Sequence, residues 1–384
     1  MTNKAISLDK VKAIPISEFV AAIEKEPQNA ILYCNLARAL PLGRHIKLTK
    51  GNIMFQRDLY LKAIEIDPNY SKAYCGLANV VPSEGTKLPN GIPTTRKQLY
   101  LKAIELDPND PMSYLDLVRN ELLFVAESIQ LSSGIIMTIQ DLYLKAIDLD
   151  TNNSRAYNCL ADYLQDEKSI QLLNGISMTQ QQLYLKAIEC DPNEHLSYNN
   201  LACTLRVRGG SIKLPNGTQM TSQQLYLKAI ELNPKFSIAY HNLALTLPDG
   251  ESILLPNGTR MTQQQLFLKA IELDPNDSRG YCSLACTLVV GDYIQLPNGT
   301  RMTQQQLFLK SIELGDPNGY SYAYYKLAGT LPDGGKIQLL NGIYMTKQQL
   351  LDKFCIRKQT NPPETSQLVP PSSSADHSSL KPEK

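Results

Sequence analysis

Eight cysteines and four histidines are the residues of this 384-residue chain best suited to metal or nucleophilic chemistry. The cysteines stand at positions 34, 75, 159, 190, 203, 282, 286 and 355, and none forms a CxxC pair. Cys282 and Cys286 are four apart, which places two thiols on one helical face. No second pair and no nearby histidine completes a metal set around them. His45, His195, His241 and His377 are scattered, without HExxH or a local carboxylate arrangement. A phosphate loop and a GxSxG motif are both missing, and LPDGG at 331–335 is too little for a nucleotide site. These readings predict reduced thiols, no metal, no cofactor and no catalytic residues.

The totals narrow the partners. Lys plus Arg is 38 and Asp plus Glu is 37, a formal net charge of +1. Such a balance creates no field to draw in nucleic acid or an anionic membrane. No apolar run is long enough to cross a bilayer. The opening MTNKAISLDKVKAIPISEF lacks a compact apolar block, so it does not read as a signal peptide. The expected location is cytoplasmic.

The elements that would carry these residues come from a repeat. The string LYLKAIELDPN recurs, with its first aromatic at Tyr60, Tyr100, Tyr143, Tyr184, Tyr226, Phe267 and Phe308. Divergent copies sit at Phe19 and Leu351, and the unit is about 41 residues. Between these copies falls AYxxLAxxL, with tyrosines at 33, 74, 114, 157, 198, 240, 281 and 324. Tyr240, Leu243, Ala244 and Leu247 lie at i, i+3, i+4 and i+7, one stripe of a helix. Leu225, Tyr226, Ala229 and Ile230 make the stripe of a second helix. Each is only a few turns long and marginal alone, so pairs must stack. Lysines such as Lys62, Lys102 and Lys228 are each followed three residues later by an acid, which predicts a solvated helix face.

Two junctions punctuate each unit. Asp274-Pro275-Asn276 ends one helix and opens the next, since proline cannot supply an interior helical N–H. Between the two helices of a unit lie segments such as SILLPNGTRM at 252–261, in which Ile253 and Leu255 alternate and Asn257-Gly258 signals a hairpin turn. Then Thr262 and Gln265 have the spacing of a capping box, with Met261 and Leu266 at the hydrophobic-staple positions. The first copy departs from this, with Phe55 where threonine stands elsewhere.

This pattern resembles the tetratricopeptide repeat family. Tyr240, Leu243 and Ala244, then Phe267, Ala270 and Pro275, follow its spacing within one unit, and the likeness covers roughly residues 14–358. The family unit is shorter, and here about seven residues are added between the two helices. The resemblance implies an all-α helical-repeat solenoid with short β-hairpin-like insertions. Residues 1–13 form an N-terminal extension, and 14–358 an array of one unpaired helix and eight helix pairs. Residues 359–384, rich in Pro and Ser, are expected to be disordered.

Members of the family commonly line a concave groove with their first helices, which implies a non-catalytic protein- or peptide-binding scaffold. An enzyme module whose catalytic residues form no local motif is the alternative. Positions one and five after each tyrosine point away from the apolar stripe. In the C-terminal half they supply the candidate contacts Asn199, Cys203, His241, Leu245, Cys282, Cys286 and Tyr325. Their character predicts a weakly charged, partly apolar protein or extended peptide along residues 199–329. Asn199 would be able to satisfy its backbone groups. Nucleic acid and membrane insertion are not expected.

Overall fold

The computed structural model describes residues 14–48, 53–122, 128–164, 168–208, 210–315 and 322–360. The expected N-terminal extension and nearly all of the Pro/Ser-rich tail lie outside them. Among the described residues there are 17 α-helices and eight two-stranded hairpins. The chain divides into two compact parts, one reaching Leu164 and including Ser169–Met178, the other running from Thr179. Both are built from the same unit: a first helix, an antiparallel hairpin and a second helix.

One unit of the C-terminal part shows the plan. Its first helix is Ser237–Ala244, its strands are Ser252–Leu254 and Arg260–Thr262, and its second helix is Gln263–Leu273. Leu243, Ala244 and Leu247 are buried, as are Leu266, Phe267, Ala270 and Ile271 on the second helix. Alanine at 244 and 270 leaves room for close helix approach, and helices consecutive in sequence pack on one another. In the N-terminal part the equivalent pairs are Ala30–Ala39 with Gln56–Ile66, Ser71–Ala78 with Arg96–Leu106, and Pro111–Leu117 with Ile139–Leu149. The single helix Ile16–Lys25 precedes them, and Val118–Leu122 extends its helix as a π turn.

The DPN junction makes more bonds than a chain break needs. Asp274 accepts the Asn276 N–H on its carboxylate at 3.1 Å. The Tyr281 hydroxyl of the next helix then donates to the Pro275 carbonyl at 3.1 Å. The same bond joins Tyr74 to Pro68, Tyr114 to Pro108, Tyr198 to Pro192 and Tyr240 to Pro234. The repeated tyrosine thus buries its ring in the core and fastens the loop with its hydroxyl.

The three glutamines after Thr262 have three separate tasks. Gln263 Nε2 donates to the carbonyls of Ala244 at 3.1 Å and Leu247 at 2.9 Å, at the end of its own unit's first helix. Gln264 Nε2 donates to the Thr287 carbonyl of the following unit at 3.2 Å. Gln265 closes the capping box: its Oε1 accepts from Thr262 N at 2.9 Å, and its N–H donates to Thr262 Oγ1 at 3.4 Å. Two helix ends and one helix start are thus bonded by one tripeptide. Where Phe55 replaces the threonine, only the return bond survives, from Phe55 N to Asp58 Oδ2 at 3.0 Å.

The inserted segment pairs Ser252 with Thr262, Ile253 with Met261 and Leu254 with Arg260. Its turn is one residue longer than the Asn-Gly signal. Leu255 N donates to Thr259 O and Gly258 N donates to Leu255 O, both at 2.9 Å, so Pro256, Asn257 and Gly258 form the loop. Proline presets φ at the first of these positions, and Asn257 Oδ1 accepts the Thr259 N–H at 3.0 Å. Gly258 is left-handed, at φ +83°. Leu255, buried, anchors the hairpin to the helices.

Space around Gly258 is open, so Gly258→Val meets no clash and carries only the backbone cost. A loss of about 1–2 kcal/mol is expected. Gly258→Asn, which tolerates this conformation better, should lose clearly less. Denaturation midpoints for the two variants would check it; equal midpoints would refute a turn held left-handed.

Candidate functional site

On a helix turning 100° per residue, the stripe of Tyr, Leu and Ala faces the unit's second helix. The position one after the tyrosine lies at the edge of this stripe, and the positions two and five after it lie opposite. The difference decides which residues reach solvent.

Asn199, His241 and Cys282, each one place after a tyrosine, are all buried. They face the neighbouring unit, because a stacked helix packs on two sides. Asn199 Oδ1 accepts the Asn242 side-chain amide at 3.0 Å, and its own amide donates to Asn200 Oδ1 at 3.0 Å. His241 Nε2 lies 3.0 Å from Ser283 Oγ of the next unit, and its ring centroid is 5.5 Å from that of Phe267. Burial pushes the His241 imidazole down to about 4, with Arg279 adding to the effect and Asp277 opposing it.

The other candidates reach the surface to different extents. Leu245 is 41% and Tyr325 45% exposed. Cys286 is exposed and Cys203 half-buried. Cys203 accepts from the Tyr226 hydroxyl at 3.4 Å and from the Asn242 amide at 3.6 Å. The Tyr325 ring lies 5.0 Å from that of Phe354 in the last helix, Lys347–Thr360, tilted at 34° to it. The cysteines four apart share the helix Ser278–Cys286 but differ in access, Cys282 being buried and Cys286 exposed.

Asn242 and Ser283, two places after their tyrosines, belong to this face and were not among the expected contacts. Their signal lay in the sequence, since that position reads Asn200, Asn242, Ser283 and Lys326 in successive units.

The corresponding face of the N-terminal part carries a bonded polar cluster. Asp116 is buried; it accepts from Asn79 Nδ2 at 3.0 Å and pairs with Arg155 at 3.2 Å. The Tyr100 hydroxyl donates to Asn79 Oδ1 at 2.7 Å, and Asn120 reaches both that oxygen and the hydroxyl, at 3.1 and 2.7 Å. Four elements are tied together by these bonds.

On the second helices, every repeated lysine finds its acid. Lys228–Glu231 is 3.0 Å, Lys269–Glu272 2.8 Å and Lys310–Glu313 2.6 Å. Exposed pairs of this kind add little stability. They do remove the basic ladder that the lysines would otherwise form. Among the described residues no group of three or more metal-ligating side chains occurs, and no helix is long and apolar enough to cross a membrane.

Paired helices that bury one stripe within the unit and one edge against the next define a helical-repeat protein of solenoid type, here with a hairpin inside each unit. Residues 142–182, 183–224, 225–258 and 266–305 match the family model described as tetratricopeptide repeat. These four stretches are tetratricopeptide repeats, here with an enlarged unit. No curated protein sequence matches it significantly.

Similar solved structures include YrrB, described as a TPR protein with an unusual peptide-binding site. It is 19% identical over 59% of this chain and 98% of its own, with a TM-score of 0.29. Yeast Tom70 is 17% identical over 90% of this chain and 58% of its own, at 0.39. A monomeric mutant of IFIT1 with Gppp-AAAA is 11% identical over 90% of this chain and 76% of its own, at 0.45. These are likenesses of fold.

Proposed function

We propose that the chain is a non-catalytic cytoplasmic scaffold. In this reading, the first helices of its C-terminal part offer a concave face to an extended, weakly charged protein segment. The observation that carries the reading is the division of the candidate residues. Leu245, Cys286 and Tyr325, with half-buried Cys203, are presented outward, while Asn199, His241 and Cys282 hold the helices beneath them. The tetratricopeptide repeats matched within residues 142–305 support a protein or peptide partner. The paired lysines favour protein over nucleic acid, which needs an uncompensated cationic surface.

A peptide library displayed against the immobilised full chain tests this. The enriched peptides should be apolar and weakly charged, and Leu245→Glu or Tyr325→Glu should weaken them about tenfold or more by calorimetry. Circular dichroism should be unchanged in both variants. Strongly acidic peptides, or undiminished affinity in both, would overturn the proposal. His241 is unsuited to such a test because its ring lies inside.

A further inference from the structure

We propose that the six Asn-Gly turns of the hairpins are latent deamidation sites held shut by the fold, and that the turn at Asn90 opens first.

Asn-Gly is the step at which an asparagine side chain closes most readily on the main chain, because glycine has no side chain to shield its nitrogen. Six hairpins place that step at the same point of the turn, at Asn90, Asn174, Asn216, Asn257, Asn298 and Asn341. In each, the glycine N–H donates to the carbonyl of the leucine three residues back, at 2.9 Å. In each, the asparagine Oδ1 accepts the N–H two residues on, at 3.0 or 3.1 Å. A further Asn-Gly step, Asn318-Gly319, lies outside the described residues.

In the reaction, the glycine nitrogen gives its proton to hydroxide and attacks the asparagine Cγ. The N–Cγ bond forms, the bond from Cγ to Nδ2 breaks, and ammonia leaves with a proton taken from water. Water then opens the five-membered imide at either carbonyl, giving aspartate or isoaspartate. A nitrogen whose proton is shared with a leucine carbonyl gives that proton up less readily. The side-chain carbonyl, meanwhile, is fastened forward to the residue beyond the glycine. Cyclisation breaks the first bond and pulls on the second, so it waits for the hairpin to open. Isoaspartate lengthens the main chain by one atom, and such a turn does not reclose in its old form.

The hairpins are not equally firm. Those at Asn216, Asn257, Asn298 and Asn341 each register three residue pairs, with Ile against Met at the centre, as in Ile253–Met261. The Asn90 hairpin registers two pairs, and its inward pair is Thr86–Thr94. Its Leu88 is half-buried, whereas the equivalent leucines at 172, 214, 255, 296 and 339 are buried. A lone two-stranded hairpin persists only by resting an apolar face on other structure. This one has less to rest with than the others.

The full-length protein in mildly alkaline buffer, folded or in urea, provides the test, with peptide mapping by mass at each asparagine. Relative to urea, the fold should slow conversion about a hundredfold or more at the five firmer turns, and only about tenfold at Asn90. Thr86→Ile with Thr94→Met installs the inward pair of the other hairpins and should bring Asn90 towards their rate. Ile253→Thr with Met261→Thr should do the reverse at Asn257, and serves if the first double variant fails to fold. Equal rates in the folded protein and in urea would overturn the proposal, as would first modification at another of the six turns. Rates unmoved by both pairs of substitutions would do the same.

Discussion

Lowering the pH from 7 to 5 is expected to remove about 2 kcal/mol of stability through His241 alone. The folded imidazole titrates at about 4 because it is buried against Phe267 and beside Ser283, whereas an unfolded histidine titrates near 6.5. A folded value below the unfolded one means that the unfolded chain binds the extra proton. The contribution is therefore complete above about 6.5 and is lost as the pH falls towards 4. Arg279 and Asp277 face the same ring with opposite effects. His195 is also lowered, by burial, and Asp277 is lowered mainly by Arg279 despite its burial, so the whole C-terminal part weakens in acid. Urea midpoints of the wild type and His241→Gln at both pH values isolate the histidine. Equal acid sensitivity in the two proteins would show that the ring is not held neutral.

Gly76→Val should cost about 2–3 kcal/mol, at the upper end for overpacking. Gly76 lies in the first helix Ser71–Ala78, where a Cβ would stand 2.3 Å from Cε1 and 2.5 Å from Cζ of Tyr60. The Tyr60 ring is itself buried and cannot swing aside. Glycine thus admits the aromatic ring of the second helix to the space a side chain would fill. Gly329 supplies the contrast, for it ends another first helix with nothing near its Cβ position. Gly329→Ala should be neutral or stabilising by up to about 1 kcal/mol. Thermal or urea denaturation of the two variants would decide, and a Gly76→Val protein as stable as wild type would refute the close packing.

What could be read from the chain depends on how far apart the partners are. Thr262 and Gln265 bond within one turn, and their spacing announced the capping box. The stripes of Tyr240, Leu243 and Ala244 were equally legible, because helical periodicity is local. Asn257-Gly258 located the hairpin, while the length of its loop depended on Pro256, whose φ preference suits the first position of a turn. Gln263 and Gln264 carried no such mark. Their acceptors are 16 to 23 residues away and meet them only after the helices have stacked. The burial of Asn199, His241 and Cys282 was hidden for the same reason. A helical wheel describes one apolar side, and the second side of a repeat helix is created by the neighbouring unit.

The bond from Gln264 to the Thr287 carbonyl has counterparts in Gln223 to Thr246 and Gln305 to Thr330. A junction made in this way fits any of these neighbours as well as the correct one, since glutamine and carbonyl recur at three successive steps. Correct register during folding must then be recognised by residues that do not recur. The Asn242–Asn199 amide pair and the His241–Ser283 pair occupy this role at two successive junctions of the C-terminal part. A skipped or duplicated unit would keep its glutamine bond and lose its own pair. Such near-native misassembly is a characteristic hazard of repeat chains, and here the varied side chains beneath the exposed face act as an address for each unit.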